Sequence, residues 1–160
     1  MQRHVIRHVA VAAALFAMPA TGALAQAAAS APASPAVHAA LTTNTALRGA
    51  LEKTFDEGQI NMLHAVAYQQ AVARTCAGFT IDPKRFEREM DLVYDDAKGQ
   101  PKTLTADEKS EIEKKALFGF GLAYGAQLAI AAFDDKAFCA AARAERKDPP
   151  GGHMVWADAK

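Results

Sequence analysis

Cysteine is scarce in this sequence, with only Cys76 and Cys139 among 160 residues. The two are not arranged as Cys-x-x-Cys, which excludes the redox and haem-attachment motifs built on that spacing. His-Glu-x-x-His is absent as well, and the glycines at 119 and 121 lack the third glycine of a dinucleotide-binding loop. We therefore expect neither a metal nor a cofactor.

The sequence has no excess of charge and almost no serine outside its amino-terminal part. Lys and Arg together number 18, as do Asp and Glu, so the formal net charge is zero. This balance gives no electrostatic reason to expect a nucleic-acid partner. Ser110 is the only serine beyond residue 34, and no motif around it indicates an activated nucleophile. We predict no catalytic residues and a protein that is not an enzyme.

The amino terminus has the layout of a secretory signal peptide. Arg3 and Arg7 precede an uncharged apolar stretch at 9–19, and Ala23-Leu24-Ala25 places small residues where signal peptidase cleaves. We predict a signal peptide at 1–25, cleavage before Gln26 and a periplasmic or secreted protein. A flexible Ala/Ser/Pro leader is expected at 26–41, a helical domain at 42–148 and a tail at 149–160, after Pro149-Pro150-Gly151-Gly152.

The fold class predicted for the domain is all-α, a small bundle of about four helices. Apolar residues recur at helical spacing from near Asn44 or Thr45 to Cys76, with Gly58 as a bend or break. Gly78 is suited to end this helix. The later helices have their own start signals, namely Asp82-Pro83, the capping box Thr105-Ala106-Asp107-Glu108, and Asp134-Asp135. The second is expected to end at Gly99-Gln100-Pro101, and the last at Arg143 to Lys147.

The segment 116–133 is uncharged over 18 residues and admits two interpretations. It is long enough for a stop-transfer membrane helix. Alternatively, it is the central helix of the bundle, surrounded by its neighbours and therefore apolar on all sides. Gly121, Gly125 and Ala129 lie on one face, and such small residues let another helix approach closely in either setting. Three glycines and Gln127 favour the buried helix.

The cysteine pair also favours a buried central helix. An even number of cysteines in an exported protein predicts a disulfide, here Cys76–Cys139. A membrane span at 116–133 would separate the two thiols, whereas a buried helix lets the chain return and bring them together. The bridge is therefore expected to close the bundle.

Candidate contact residues are His64 and Tyr68 on the first predicted helix, and Tyr124 and Gln127 on the long apolar one. The layout of signal, helices and cysteine pair resembles in general plan small two-cysteine helical proteins of bacterial periplasms, which include acid-stress chaperones and inhibitor or immunity proteins. We expect an exported protein that binds another exported protein, in a chaperone-like or inhibitor/immunity-like role. Two alternatives remain: a ligand-binding or hydrolytic bundle with a pocket lined by Tyr68, Tyr124 and Gln127, and a single-span membrane-associated component.

Overall fold

The computed structural model describes residues 35–147 and 155–158. Within these ranges the protein is helical and contains no strand, so the all-α class is confirmed. The elements are α1 (Pro35–Leu51), α2 (Glu57–Thr75), α3 (Pro83–Asp91), a 3-10 turn (Leu92–Tyr94), α4 (Ala106–Phe133) and α5 (Asp135–Lys147). The described part thus has five α-helices where about four were predicted. The predicted signal peptide lies outside the described residues.

The additional helix arises because the first predicted helix is two. The chain leaves the helix after Leu51 and starts α2 at a capping box: the Asp56 carboxylate accepts from the Gln59 backbone N–H at 2.9 Å, and the Gln59 side chain accepts from the Asp56 N–H at 3.1 Å. Such a reciprocal cap satisfies two of the free donors at a helix start. Of the bend or break predicted at Gly58, the structure has a break, but it lies just before that residue, at 52–56, and Gly58 is in the first turn of α2.

The start of α1 also differs from expectation. The helix begins at Pro35, so the predicted flexible leader is wrong from that residue to Leu41, while 26–34 lie outside the described residues. Proline fits the first turn of a helix because it has no N–H to leave unsatisfied. Alanine has the highest helix propensity of all residues, so the Ala-rich stretch that follows continues the helix.

Three local signals were interpreted correctly. The Asp82 carboxylate caps α3 by accepting from the backbone N–H groups of Lys84 and Arg85 at 2.9 and 3.1 Å. Thr105 and Glu108 form the expected capping box of α4. Gly78 has φ +86°, the left-handed conformation that favours glycine after a helix end. However, α3 is shorter than predicted, because the chain turns into the 3-10 segment before Gly99.

The predicted disulfide is present and joins the end of α2 to α5. Cys76 and Cys139 are bonded, with their Cα atoms 5.5 Å apart. Both are buried in an apolar cluster that also contains Phe79, Phe138 and Trp156. The bridge therefore closes the bundle as expected.

The predicted carboxyl-terminal tail is wrong for the part that the structure describes. Val155 and Trp156 are fully buried. The Trp156 indole N–H donates to the backbone oxygen of Gln69 at 2.9 Å, and the Gln69 side chain accepts from the Val155 N–H at the same distance. The return of the chain buries Trp156 in the cluster between α2 and α5, and Val155 in the cluster that α1, α2 and α4 share.

Helix α4 is central but is not surrounded. It packs mainly on α1 and α2, and its buried residues are Ala116, Gly119, Ala123, Ala126 and Ala131. By length and composition it is long and apolar enough to cross a membrane. Of its most apolar stretch of 18 residues, only 28% is buried inside the protein. The prediction of a helix buried on all sides was therefore wrong, because the neighbouring helices cover one face and leave the other open.

Candidate functional site

A groove of about 380 Å³ lies between α3 with its 3-10 extension and the first half of α4. We refer to it as the α3–α4 groove. Its apolar lining comprises Phe86, Met90, Val93, Ala116 and Leu117, and its polar lining comprises Glu87, Asp91, Tyr94 and Glu113. The volume falls within the range of sites that bind a small molecule or a group of side chains.

The wall formed by α3 and the 3-10 turn is held in place from two directions. At its start, Asp82 caps the helix, and Phe86 packs edge-on against Phe120 of α4 with ring centroids 5.8 Å apart. At its end, the buried Gln59 side chain donates to the backbone oxygens of Leu92 and Asp95 at 2.9 and 3.0 Å. The groove is therefore formed before any partner binds, which lowers the entropy lost on binding.

Negative charge collects along this groove. Three carboxylates, Glu87, Asp91 and Glu113, line it, and no Lys, Arg or His is among the lining residues. The Tyr94 hydroxyl donates to Glu113 at 2.8 Å. Burial, together with the Glu113 carboxylate, raises the pKa of Tyr94 to about 12, so this hydroxyl stays protonated and keeps donating. The groove thus combines an apolar floor with three carboxylates at its rim, and the Lys109 ammonium lies 5.0 Å from the ring centroid of Tyr94 beside it.

A second apolar surface lies on the same helix and faces away from the core. Leu117, Phe118, Leu122 and Phe133 of α4 are exposed, although they are large and apolar. Phe118 and Leu122 also line a cavity of about 360 Å³ between α4 and α1. Leu117 lines the α3–α4 groove instead, so these exposed residues border both cavities, and large apolar residues left exposed in this way indicate an interaction surface.

Two of the four contact residues predicted from sequence, Tyr68 and Tyr124, pack against the same apolar cluster around the disulfide. Tyr68 packs in an aromatic cluster, with its ring centroid 5.7 Å from that of Phe138 and 6.2 Å from that of Trp156. Tyr124 stacks on Phe120 within its own helix. Burial and the neighbouring Glu145 carboxylate raise the pKa of Tyr68. Both tyrosines are therefore mainly core residues.

His64 and Gln127 are partly buried. The His64 Nε2 atom is buried and has no hydrogen-bond partner among the described residues. Burial and the positive charge of Arg48 lower the pKa of His64, so its ring is neutral near pH 7. The cavities described for 35–147 and 155–158 are lined by residues other than these four. The pocket between Tyr68, Tyr124 and Gln127 stays a prediction.

The groove carboxylates were missed at the sequence level. Phe86, Met90 and Val93 form a short apolar stripe at helical spacing, and the acids beside it, Glu87 and Asp91, are not among the contact residues predicted from the sequence. Two sequence features could have pointed to these carboxylates. Acids flank the short apolar stripe of α3, and Glu113 lies one turn before the uncharged stretch of α4. No sequence pattern shows that these two segments meet.

The described residues also contain no group of His, Cys, Asp or Glu placed to hold a metal ion. No family model, curated protein or solved structure matches this chain.

Proposed function

We propose that this protein is an exported helical binding protein that holds an apolar, positively charged segment of another exported protein in the α3–α4 groove. One observation carries the proposal: an apolar floor lined by three carboxylates and no cation. Complementary charge across an interface steers association and disfavours partners of the wrong sign. The disulfide between Cys76 and Cys139 is compatible with an oxidising, exported location.

A preformed groove supports an inhibitor- or immunity-like role, in which a fixed surface fits one partner. Both ends of the α3 wall are anchored, at Asp82 and through Gln59, so little ordering is needed on binding. A basic side chain of the partner would pair with Glu87, Asp91 or Glu113, while its neighbouring apolar side chains would cover Met90 and Leu117.

The test measures binding of defined probes by fluorescence anisotropy. One labelled helical peptide is built of leucine and lysine, and a matched peptide is built of leucine and glutamate. We expect the lysine peptide to bind more tightly, with an affinity that falls as salt is added, because salt screens exposed charges. The variant Glu87→Gln/Asp91→Asn is expected to lose about three- to tenfold in affinity, as each exposed ion pair contributes about 0.2–1 kcal/mol.

A matched control removes the same charge elsewhere. Glu52→Gln/Asp107→Asn changes two exposed carboxylates outside the groove lining and is expected to bind the lysine peptide within twofold of wild type. Equal binding of the two peptides, or equal losses in the two double variants, would refute the groove as the binding site.

The chaperone-like role is the second candidate, and His64 favours it. A buried ring nitrogen without a hydrogen-bond partner must be exposed or paired once it is protonated, so acid would loosen the packing around α2. Binding of a hydrophobic dye at pH 3 and pH 7 separates the two roles. Increased dye binding in acid, with helix content retained, favours the chaperone, whereas unchanged dye binding favours the fixed surface.

A further inference from the structure

The outer face of α4 is apolar along most of the second half of the helix. Leu117, Phe118, Leu122 and Phe133 are 63%, 59%, 37% and 61% exposed. At 1.5 Å per residue the face from 117 to 133 is about 24 Å long. These four side chains expose on the order of 400 Å² of apolar surface, and large side chains of this kind each offer 150–250 Å². Such an area on one face needs a physical explanation.

Two glycines in this face have no role within the described residues. A Cβ atom built on Gly121 or Gly125 meets nothing within 4 Å, and neither residue has a positive φ. Glycine inside a helix costs about 1 kcal/mol relative to alanine. Gly119 is different, because its Cβ would lie 2.8 Å from a methyl group of Leu51, so the packing of α1 requires it. Gly121 and Gly125 are thus suited to close approach by another backbone.

The spacing along the face matches that of a helix pairing with a second helix. Phe118, Gly125 and Ala132 recur every seven residues, as do Leu122 and Ala129. A seven-residue repeat keeps one seam facing a partner helix over several turns. The two large residues of the seam, Phe118 and Leu122, lie in its first half, and its second half carries only the small Gly125, Ala129 and Ala132. Large residues placed opposite small ones let two surfaces interdigitate.

An antiparallel pairing of two identical α4 helices about a two-fold axis at Gly125 makes these residues complementary. Phe118 of one copy then lies opposite Ala132 of the other, and Gly121 lies opposite Ala129. A parallel pairing would instead place like residues together and oppose the two phenylalanines.

We infer that a second copy of this chain docks on the outer face of α4, antiparallel, with Gly125 at the two-fold axis. Such an interface is isologous, so every contact occurs twice. With the glycines and alanines of the seam included, two copies bury about 1,000 Å², which reaches the lower limit for a specific interface. The inference does not rest on the proposed function, because the seam from Phe118 to Ala132 lies outside the lining of the α3–α4 groove, and the two surfaces share only Leu117.

The first test is sedimentation equilibrium on the oxidised full chain. We expect the mass of two chains at micromolar concentrations. Gly125→Leu fills the space for the partner backbone and is expected to weaken dimerisation at least tenfold, without lowering the melting temperature of the monomer. Gly49→Leu is the matched control, because Gly49 is a helical glycine on α1 with the same open space around its Cβ. It is expected to leave the dimer intact.

The second test uses the two-fold axis. Gly125→Cys places identical thiols next to each other across the axis, so mild oxidation should give a cross-linked dimer on a non-reducing gel, with Cys76–Cys139 preserved by peptide mapping. Gly49→Cys should remain uncross-linked. A wild-type chain that is monomeric at 100 μM would overturn the inference. So would an unaffected dimer in Gly125→Leu, a melting temperature of Gly125→Leu below that of wild type diluted until it is monomeric, or uptake of the chain into lipid vesicles.

Discussion

Trp156 is expected to contribute more to stability than any other single residue in the carboxyl-terminal segment. It is 1% exposed, and its ring centroid lies 4.8 Å from that of Phe79 and 6.2 Å from that of Tyr68. Its indole N–H donates to the backbone of Gln69. Replacing a buried tryptophan by alanine removes these contacts and leaves a cavity, which costs about 3–5 kcal/mol.

This loss is large relative to the 5–15 kcal/mol by which a domain is typically stable. Trp156→Phe separates the two contributions, because it keeps an aromatic ring but removes the donor. We expect Trp156→Phe to lower the free energy of unfolding by about 1–3 kcal/mol, because it loses one hydrogen bond and part of the buried side-chain volume. Trp156→Ala should also weaken the hydrogen bond that the Trp156 carbonyl oxygen accepts from Arg85 at 2.8 Å, because the backbone at residue 156 is no longer held by the buried ring.

The measurement is urea denaturation followed by far-ultraviolet circular dichroism, since Trp156 is the only tryptophan and fluorescence is lost with it. Leu41→Ala is the control, because Leu41 is 57% exposed and its truncation should change the free energy of unfolding by less than about 1 kcal/mol. If Trp156→Ala were no more destabilising than Leu41→Ala, the carboxyl-terminal segment would not be part of the folded core.

Three further predictions concern the disulfide, His64 and the two glycines Gly119 and Gly121 of α4. Reduction of the disulfide, whose cysteines are 63 residues apart, should lower the free energy of unfolding by about 4 kcal/mol, measured by thermal denaturation with and without reductant. Because the pKa of His64 is lowered in the folded protein, the unfolded chain binds a proton at a higher pH than the folded one, so the free energy of unfolding should fall as the pH decreases below about 6.5. In melting curves between pH 7 and 5, the stability of His64→Asn should depend less on pH than that of wild type. Gly119→Ala should destabilise by about 1–3 kcal/mol through overlap with Leu51, whereas Gly121→Ala should stabilise the monomer by up to about 1 kcal/mol in the same denaturation assay.

Helix starts and ends were predictable from the sequence wherever the stabilising contact is local. The Asp82 cap, the Thr105 capping box and the left-handed Gly78 each involve residues within three or four positions of one another. Such contacts depend little on the rest of the chain. The capping box at Asp56 is equally local and was within reach of the sequence, but the longer apolar periodicity obscured it.

The disulfide was predictable for a different reason. With two cysteines and a predicted exported location, only one intramolecular pairing exists, so Cys76–Cys139 followed without any geometry. The pairing in turn indicated that the long apolar helix allows the chain to return, which the contact of α5 with α2 and α4 bears out.

Burial and the candidate sites depended on the tertiary structure. Apolar spacing shows that a helix has an apolar face, but not how much of it the neighbouring helices cover, so the open face of α4 could not be predicted. Trp156 was assigned to a tail because the glycines and prolines before it end a helix without showing where the chain goes next. The groove carboxylates Glu87 and Glu113 are 26 residues apart in sequence, and only the packing of α3 on α4 brings them together. A local hydrogen bond joins residues that are close in sequence, so the sequence predicts it. The surface that stays exposed depends on how all the helices pack, so only the tertiary structure decides it.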